Sequence, residues 1–357
     1  MGKNIVVFSD GTGQKGGVGS NTNVYKMFNM IEDRTERQIA FYDPGLGTDW
    51  RKVTGMISGR GFSKNIKDCY RFIFENFQAD DQIYLFGFSR GAATVRSLSG
   101  FIHMFGILPK SRPDLIDKAF KIYRLKKSKN RDKKAKAFIA KHHTMWCKIK
   151  FIGVYDTVAA LGIPVKWMSF VLDKFFPHKF HSFNLSDSVE YARHALSLDD
   201  ERKTFHPLLW NTIKNDTQQR MKQVWFCGVH TDVGGGYMEE DLSDISLKWM
   251  LGEAIAKNLI IYQKAPAFQR LLKSNPDING LMHNEQESFP GKLFKRKKRT
   301  WNKETHGEPH IHESVFKRTK SSKNEDSPRY SSWIFSYFDK ANPKVEPEYI
   351  NFAEKLT

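Results

Sequence analysis

At 357 residues and 40% hydrophobic side chains, the chain has room for a sizeable core, as one large domain with insertions or as two. No apolar run reaches the roughly 20 residues a membrane-spanning helix needs, and Cys69, Cys147 and Cys227 match neither a disulfide framework nor a zinc site, which leaves three buried free thiols. The formal charge of +18 concentrates in Lys118–Lys150 and Lys292–Lys303; such blocks favour phospholipid head groups or another anionic partner, and the lack of interleaved aromatics argues against nucleic acid.

Met-Gly-Lys-Asn-Ile-Val-Val-Phe runs straight into a β-forming stretch and leaves no space for a cleavable signal peptide. Synthesis in the cytoplasm is therefore expected, with any delivery to a target-cell periplasm or membrane left to a dedicated machine. A strand over Ile5–Phe8 ends in Ser9-Asp10-Gly11-Thr12-Gly13, and the Gly- and Asn-rich Lys15–Asn23 reads as a loop at an active-site edge. Val24–Ile31 has helical spacing, Gln38–Tyr42 reads as a strand, and Phe62–Phe77 as an amphipathic helix. A strand from Gln82 and its helix follow, then a basic helical stretch and a strand over Lys148–Val154 that ends at Asp156. Val189–Leu198 has helical spacing, Gln223–Val229 reads as a strand leading into His230-Thr231-Asp232, and Ile245–Ile261 as a helix. Strands alternating with helices predict an α/β fold with a mostly parallel sheet. One catalytic domain over 1–357 is expected, with insertions or a lid at 161–185 and 264–305.

The central stretch is Gln82–Ala93. An apolar run ends in Gly87-Phe88-Ser89-Arg90-Gly91 and small helix-compatible residues follow, the strand–turn–helix grammar of a nucleophile elbow. Side chains two residues either side of a serine raised on so tight a turn would meet the neighbouring strand and helix; Gly87 and Gly91 remove them. The N–H of Arg90 at the helix start, with Gly11 or Thr12 from the first strand's loop, could bind an oxyanion, and Asp10 could hold that loop.

A serine nucleophile needs a base and an acid to orient it, in the chain order serine, acid, histidine for α/β-hydrolases. Two assignments keep that order: Ser89 with Asp232 and His312, the leading one, and Ser89 with Asp156 and His230. Asp10, Asp156 and Asp232 also allow a Mg²⁺-dependent phosphohydrolase with Asp10 as nucleophile. A non-catalytic lipid- or nucleic-acid-binding module on a hydrolase scaffold is a third class, and a serine esterase of a non-lipid substrate a fourth. The serine reading requires no cofactor and no metal. Lys295-Arg296-Lys297-Lys298-Arg299 forms the expected contact with an anionic membrane.

Seven segments together resemble one α/β-hydrolase family. They are Ile-Val-Val-Phe-Ser-Asp-Gly-Thr-Gly, Asp-Pro-Gly-Leu-Gly-Thr, Gly-Phe-Ser-Arg-Gly-Ala, Val-Tyr-Asp-Thr-Val, Ala192–Asp199, Gly-Val-His-Thr-Asp-Val-Gly-Gly-Gly-Tyr and Ile-His-Glu-Ser-Val. That family contains the type VI secretion phospholipase effectors of the first lipase subclass. The resemblance runs from about Ile5 to Val315. It implies phospholipase activity by a triad of Ser89, Asp232 and His312. It further implies an antibacterial effector or a housekeeping relative, with phospholipid as substrate and an immunity or secretion-machinery protein as partner.

Overall fold

The structure is a computed structural model that describes residues 2–11, 16–17, 19–45, 59–158, 184–213, 216, 219–285, 287, 292, 294–321, 330–337 and 344–348. Eight strands form one sheet: β1 (Asn4–Ser9), β2 (Gln38–Asp43), β3 (Gln82–Phe88), β4 (Ile149–Tyr155), β5 (Val189–Ser197), β6 (Met221–Phe226), β7 (His310–His312) and β8 (Lys344–Glu346). The order is β2-β1-β3-β4-β5-β6-β7-β8, and every adjacent pair is parallel.

Strands buried on both faces explain why these segments are apolar nearly throughout. Ile5 and Val7 of β1, with Ile83 and Leu85 of β3, point into one core. There they meet α2 (Gly59–Asn76), α3 (Arg90–Phe105), α4 (Leu115–Tyr123) and α5 (Lys129–His142). Val6, Phe8, Tyr84 and Phe86 point the other way. They meet α1 (Asn23–Phe28), α7 (Asp241–Ile255) and α8 (Pro266–Lys273), with the five-residue α6 (His230–Gly234) just before α7. A smaller cluster around Trp225, Trp301 and Ile311 seals the β7 edge, beside α9 (Lys303–His306) and α10 (Glu313–Lys320). This is the α/β-hydrolase-like architecture expected from the alternation of strands and helices.

The chain steps from β1 outward to β2, then crosses back through α2 to β3 and proceeds the other way. In open α/β sheets the crevice at such a reversal, outside the carboxyl ends of the strands, is where ligands bind. Here that crevice lies between the end of β1, at Ser9-Asp10-Gly11, and the end of β3, at Ser89.

Val189–Ser197 is a strand and not the helix its spacing predicts. Its apolar residues recur at three- and four-residue steps, but β4 and β6 bind it on both sides, and ladder hydrogen bonding overrides local propensity. Residues 159–183, which hold most of the insertion expected at 161–185, lie outside the described residues. Within the stretch 264–305, Phe268 and Leu271 enter the core and Trp301 the edge cluster. The three cysteines are free and buried.

Candidate active site

Ser89 is the one residue between β3 and α3, and its φ of 58° with ψ of −117° is a conformation L-residues avoid. The two glycines make it possible. A Cβ on Gly87 would stand 2.6 Å from the Gly91 carbonyl oxygen, and one on Gly91 would stand 2.0 Å from the Ser9 oxygen. The corner therefore presses directly against the end of β1, and a Cβ on Gly11 would lie 3.6 Å from that of Ser89. The Ser89 N–H donates to the Tyr155 carbonyl at 3.0 Å, which places the serine next to Asp156 at the end of β4. Its hydroxyl does not cap α3.

Asp156 is fully buried, with φ of 35°. Its Oδ2 lies 2.6 Å from Nδ1 of His230, the first residue of α6 after β6. The His230 ring is held from two sides, by Phe88 at 4.6 Å between centroids and by Phe205 at 5.2 Å. The backbone N–H of His230 donates to Asp200 Oδ2 at 3.2 Å. Among the described residues Nε2 of His230 has no hydrogen-bond partner, so that nitrogen is open.

Behind Asp156 stands Arg299, only 2% exposed. Nη1 and Nη2 donate to the two Asp156 oxygens at 2.6 and 2.8 Å. The remaining donors reach the carbonyls of Ser197 (2.6 Å), Phe205 (2.8 Å) and Asp200 (3.1 Å), so all five N–H groups are used. Burial alone would raise the Asp156 carboxyl; the Arg299 charge and hydrogen bonds, with His230, hold it well below the usual carboxylate range. Asp156 therefore stays ionised beside His230.

Asp232 and His312 are placed differently from what the sequence predicts. Asp232 occupies the third position of α6, where Oδ2 accepts from the Val229 N–H at 2.9 Å and caps the helix start. Its Oδ1 lies 2.6 Å from Nδ1 of His283, whose ring stacks on Tyr237. His312 caps α10 by accepting the Ser314 N–H, also meets the Ser314 hydroxyl at 2.9 Å, and stacks on Phe226. Burial pushes its pKa down to about 3. Among the described residues no hydrogen bond joins Asp232 to His312.

At the end of β1, Asp10 is buried and accepts from Thr22 (2.6 Å), Tyr42 (2.7 Å) and the Gly11 N–H (2.7 Å). The Gly11 N–H is thus already engaged and is not offered to an oxyanion; Thr12 lies outside the described residues. Burial raises the Asp10 carboxyl. Asp10, Asp156 and Asp232 are each committed to protein donors, and among the described residues no cluster of three ligating side chains is arranged around a metal position. The expected membrane contact needs one correction: Lys295, Arg296, Lys297 and Lys298 are exposed, but Arg299 is interior because a fully buried carboxylate requires a cation. A cavity of about 550 Å³ opens where β6, β7 and β8 begin, at Met221, His310 and Lys344, the end of the sheet opposite Ser89.

Sequence reasoning missed Arg299, which reaches Asp156 across 143 positions of chain, and nothing local could have signalled it. It also overlooked the cap at Asp232. An acid three residues past a helix start was a legible signal for that role.

Residues 3–253 match the family described as "T6SS, Phospholipase effector Tle1-like, catalytic domain". An uncharacterized protein of Saccharomyces cerevisiae is 30% identical over 234 residues, 58% of this chain and 32% of the relative, so the chain spans about a third of that protein. An uncharacterized protein from Pseudomonas aeruginosa of known crystal structure gives a TM-score of 0.47 at 17% identity, covering 75% of this chain and 47% of the other. The Tle1 effector solved bound to the VgrG spike of the type 6 secretion system gives 0.37 at 18%, covering 76% and 62%. With the family match running through 251 of 357 residues (3 to 253), the chain belongs to the Tle1-like catalytic-domain family of type VI secretion phospholipase effectors.

Proposed function

We propose that this chain hydrolyses acyl esters of phospholipids through Ser89, His230 and Asp156. The observation that carries the reading is the 2.6 Å Asp156–His230 contact at the strand ends next to the Ser89 corner. Asp156 fixes the His230 tautomer with the proton on Nδ1, leaving Nε2 basic. Nε2 takes the Ser89 proton as Oγ bonds to the ester carbonyl carbon. It returns that proton to the leaving alcohol as the C–O bond breaks. Water then repeats the sequence on the acyl-enzyme and frees the fatty acid. The Arg90 N–H, among the first unpaired donors of α3, faces the developing oxyanion. The chain order serine, acid, histidine is kept.

Family membership supports lipid as the substrate, and the exposed Lys295–Lys298 segment supports attraction to an anionic surface. Binding to vesicles containing anionic lipid should weaken steeply as salt rises, since each basic residue near the surface contributes on the order of 1 kcal/mol and is screened. Binding indifferent to salt would remove the electrostatic part of the reading. Delivery as an effector is a separate matter: spike binding is a property of the solved effector, and a yeast relative keeps the hydrolase reading independent of any bacterial secretion apparatus.

Release of free fatty acid from mixed phospholipid vesicles tests the chemistry. Wild type should release it and Ser89→Ala should not. Labelling of the wild type by a serine-directed probe without fatty-acid release would keep the serine nucleophile and reject phospholipid.

A further inference from the structure

Arg90 opens α3, one residue after Ser89. Its side chain is mostly enclosed, and Nη1 is shut off from solvent with no hydrogen-bond partner. Among the described residues no hydrogen bond, ion pair or ring contact engages the guanidinium. Burial with nothing to offset it pulls the group down to about 10, so it is still a cation at neutral pH. Arg299 is engaged by five acceptors, Arg193 by Glu253 and by carbonyls, and Arg96 by the Leu208 carbonyl and the face of Trp210.

A mostly enclosed cation with no paired anion carries a desolvation cost that an incoming anion would offset. Helix side chains tilt toward the helix N-terminus, the end of α3 at which Ser89 stands. The carboxylates of the site are already engaged, Asp10 by Thr22, Tyr42 and Gly11, and Asp156 by Arg299 and His230. A guanidinium fork suits phosphate oxygens, offering two parallel donors with the charge. In a glycerophospholipid the phosphate and the acyl ester share one glycerol and lie a few bonds apart, as the side chains of consecutive residues do.

We propose that the Arg90 side chain binds an anionic phosphate oxygen of the substrate while Ser89 attacks the acyl ester of the same molecule. This rests on the serine-hydrolase reading and sharpens it: the substrate is an ester that carries phosphate close to the scissile carbonyl, and Arg90 selects for it.

The test compares wild type and Arg90→Gln on monomeric dihexanoyl phosphatidylglycerol and on the neutral p-nitrophenyl hexanoate. The ratio of kcat/KM for the phosphate ester over the neutral one should fall about 10- to 100-fold, the scale of a lost hydrogen bond to a charged group. An unchanged ratio overturns the proposal, however much the separate rates change. A second arm works without turnover. In a Ser89→Ala background, the dialkyl-ether analogue of the same lipid should bind at least about 10-fold more weakly once Arg90→Gln is added. Equal binding overturns the proposal. Full hydrolysis by Ser89→Ala would defeat the serine reading alone, and the ether-lipid arm still decides for Arg90. Inorganic phosphate that binds as tightly as the ether lipid would overturn the headgroup assignment. The urea midpoint of Arg90→Gln, expected at or above that of wild type, shows that the variant is folded.

Discussion

Two arginines flank the proposed triad, one buried and one mostly enclosed, and they are opposites. Arg299 spends all five donors on protein acceptors, two of them the oxygens of Asp156, while Arg90, beside the serine, spends none among the described residues and has its Nη1 enclosed. The first arrangement holds a structure together: it lets a carboxylate be fully interior and ionised, and ties the ends of β4 and β5 to the loop before Trp301. The second leaves a charge waiting. Burial by itself therefore does not distinguish the two; the count of satisfied donors does.

The largest effect should come from breaking the satisfied side. Arg299→Met leaves the Asp156 charge buried and unpaired, which should cost ~3–5 kcal/mol in urea unfolding. Arg299→Lys should fall between, since an ammonium keeps the charge but not the fork. A methionine variant as stable as wild type would mean that Asp156 is not held by this pair.

Asp199 sharpens the same contrast among the acids. It too is interior, but its partners are the neutral Gly228 N–H (2.7 Å) and the Tyr330 hydroxyl (3.0 Å), and burial raises it to about 6. The native state then keeps this proton to a higher pH than the unfolded chain does. The share of stability that Asp199 contributes should fall as pH climbs from about 4 to 6 and level off above, by at most ~3 kcal/mol. Asp199→Asn should remove that share of the slope, gaining on wild type between pH 4 and pH 7 in urea midpoints. Parallel curves would show that the proton is not held. Arg90→Gln should give the smallest change: discarding an unmatched cation costs no hydrogen bond or ion pair among the described residues, so its stability should equal or exceed that of wild type, in contrast to Arg299→Met.

Much of this was legible where the physics is local. Gly87 and Gly91 announced the corner by standing two residues either side of Ser89, although only the Gly87 clash is local and the Gly91 clash is with Ser9 of β1, and β1 and β3 announced themselves by continuous apolar runs. Val189–Ser197 did not, since only its two neighbouring strands make it a strand. The choice between the pairs Asp232–His312 and Asp156–His230 turned on where short elements fall. His312 sits on a three-residue strand at the sheet edge and stacks into the interior, whereas His230 begins a short helix directly above Asp156. Chain order permitted both pairs; only the packing of β4, β5 and β6 separates them. Arg299 was read with its four exposed neighbours as one basic patch, because nothing in Lys295–Lys298 marks the fifth residue as interior.

The most direct test of the account is fatty-acid release from phospholipid by wild type beside Ser89→Ala, Asp156→Asn, His230→Gln, Asp232→Asn and His312→Gln, each first shown to be folded. The account predicts rates lower by a factor on the order of 10⁴ in the first three variants, with continued turnover in the last two. Activity surviving in Asp156→Asn and His230→Gln but abolished in Asp232→Asn and His312→Gln would contradict it.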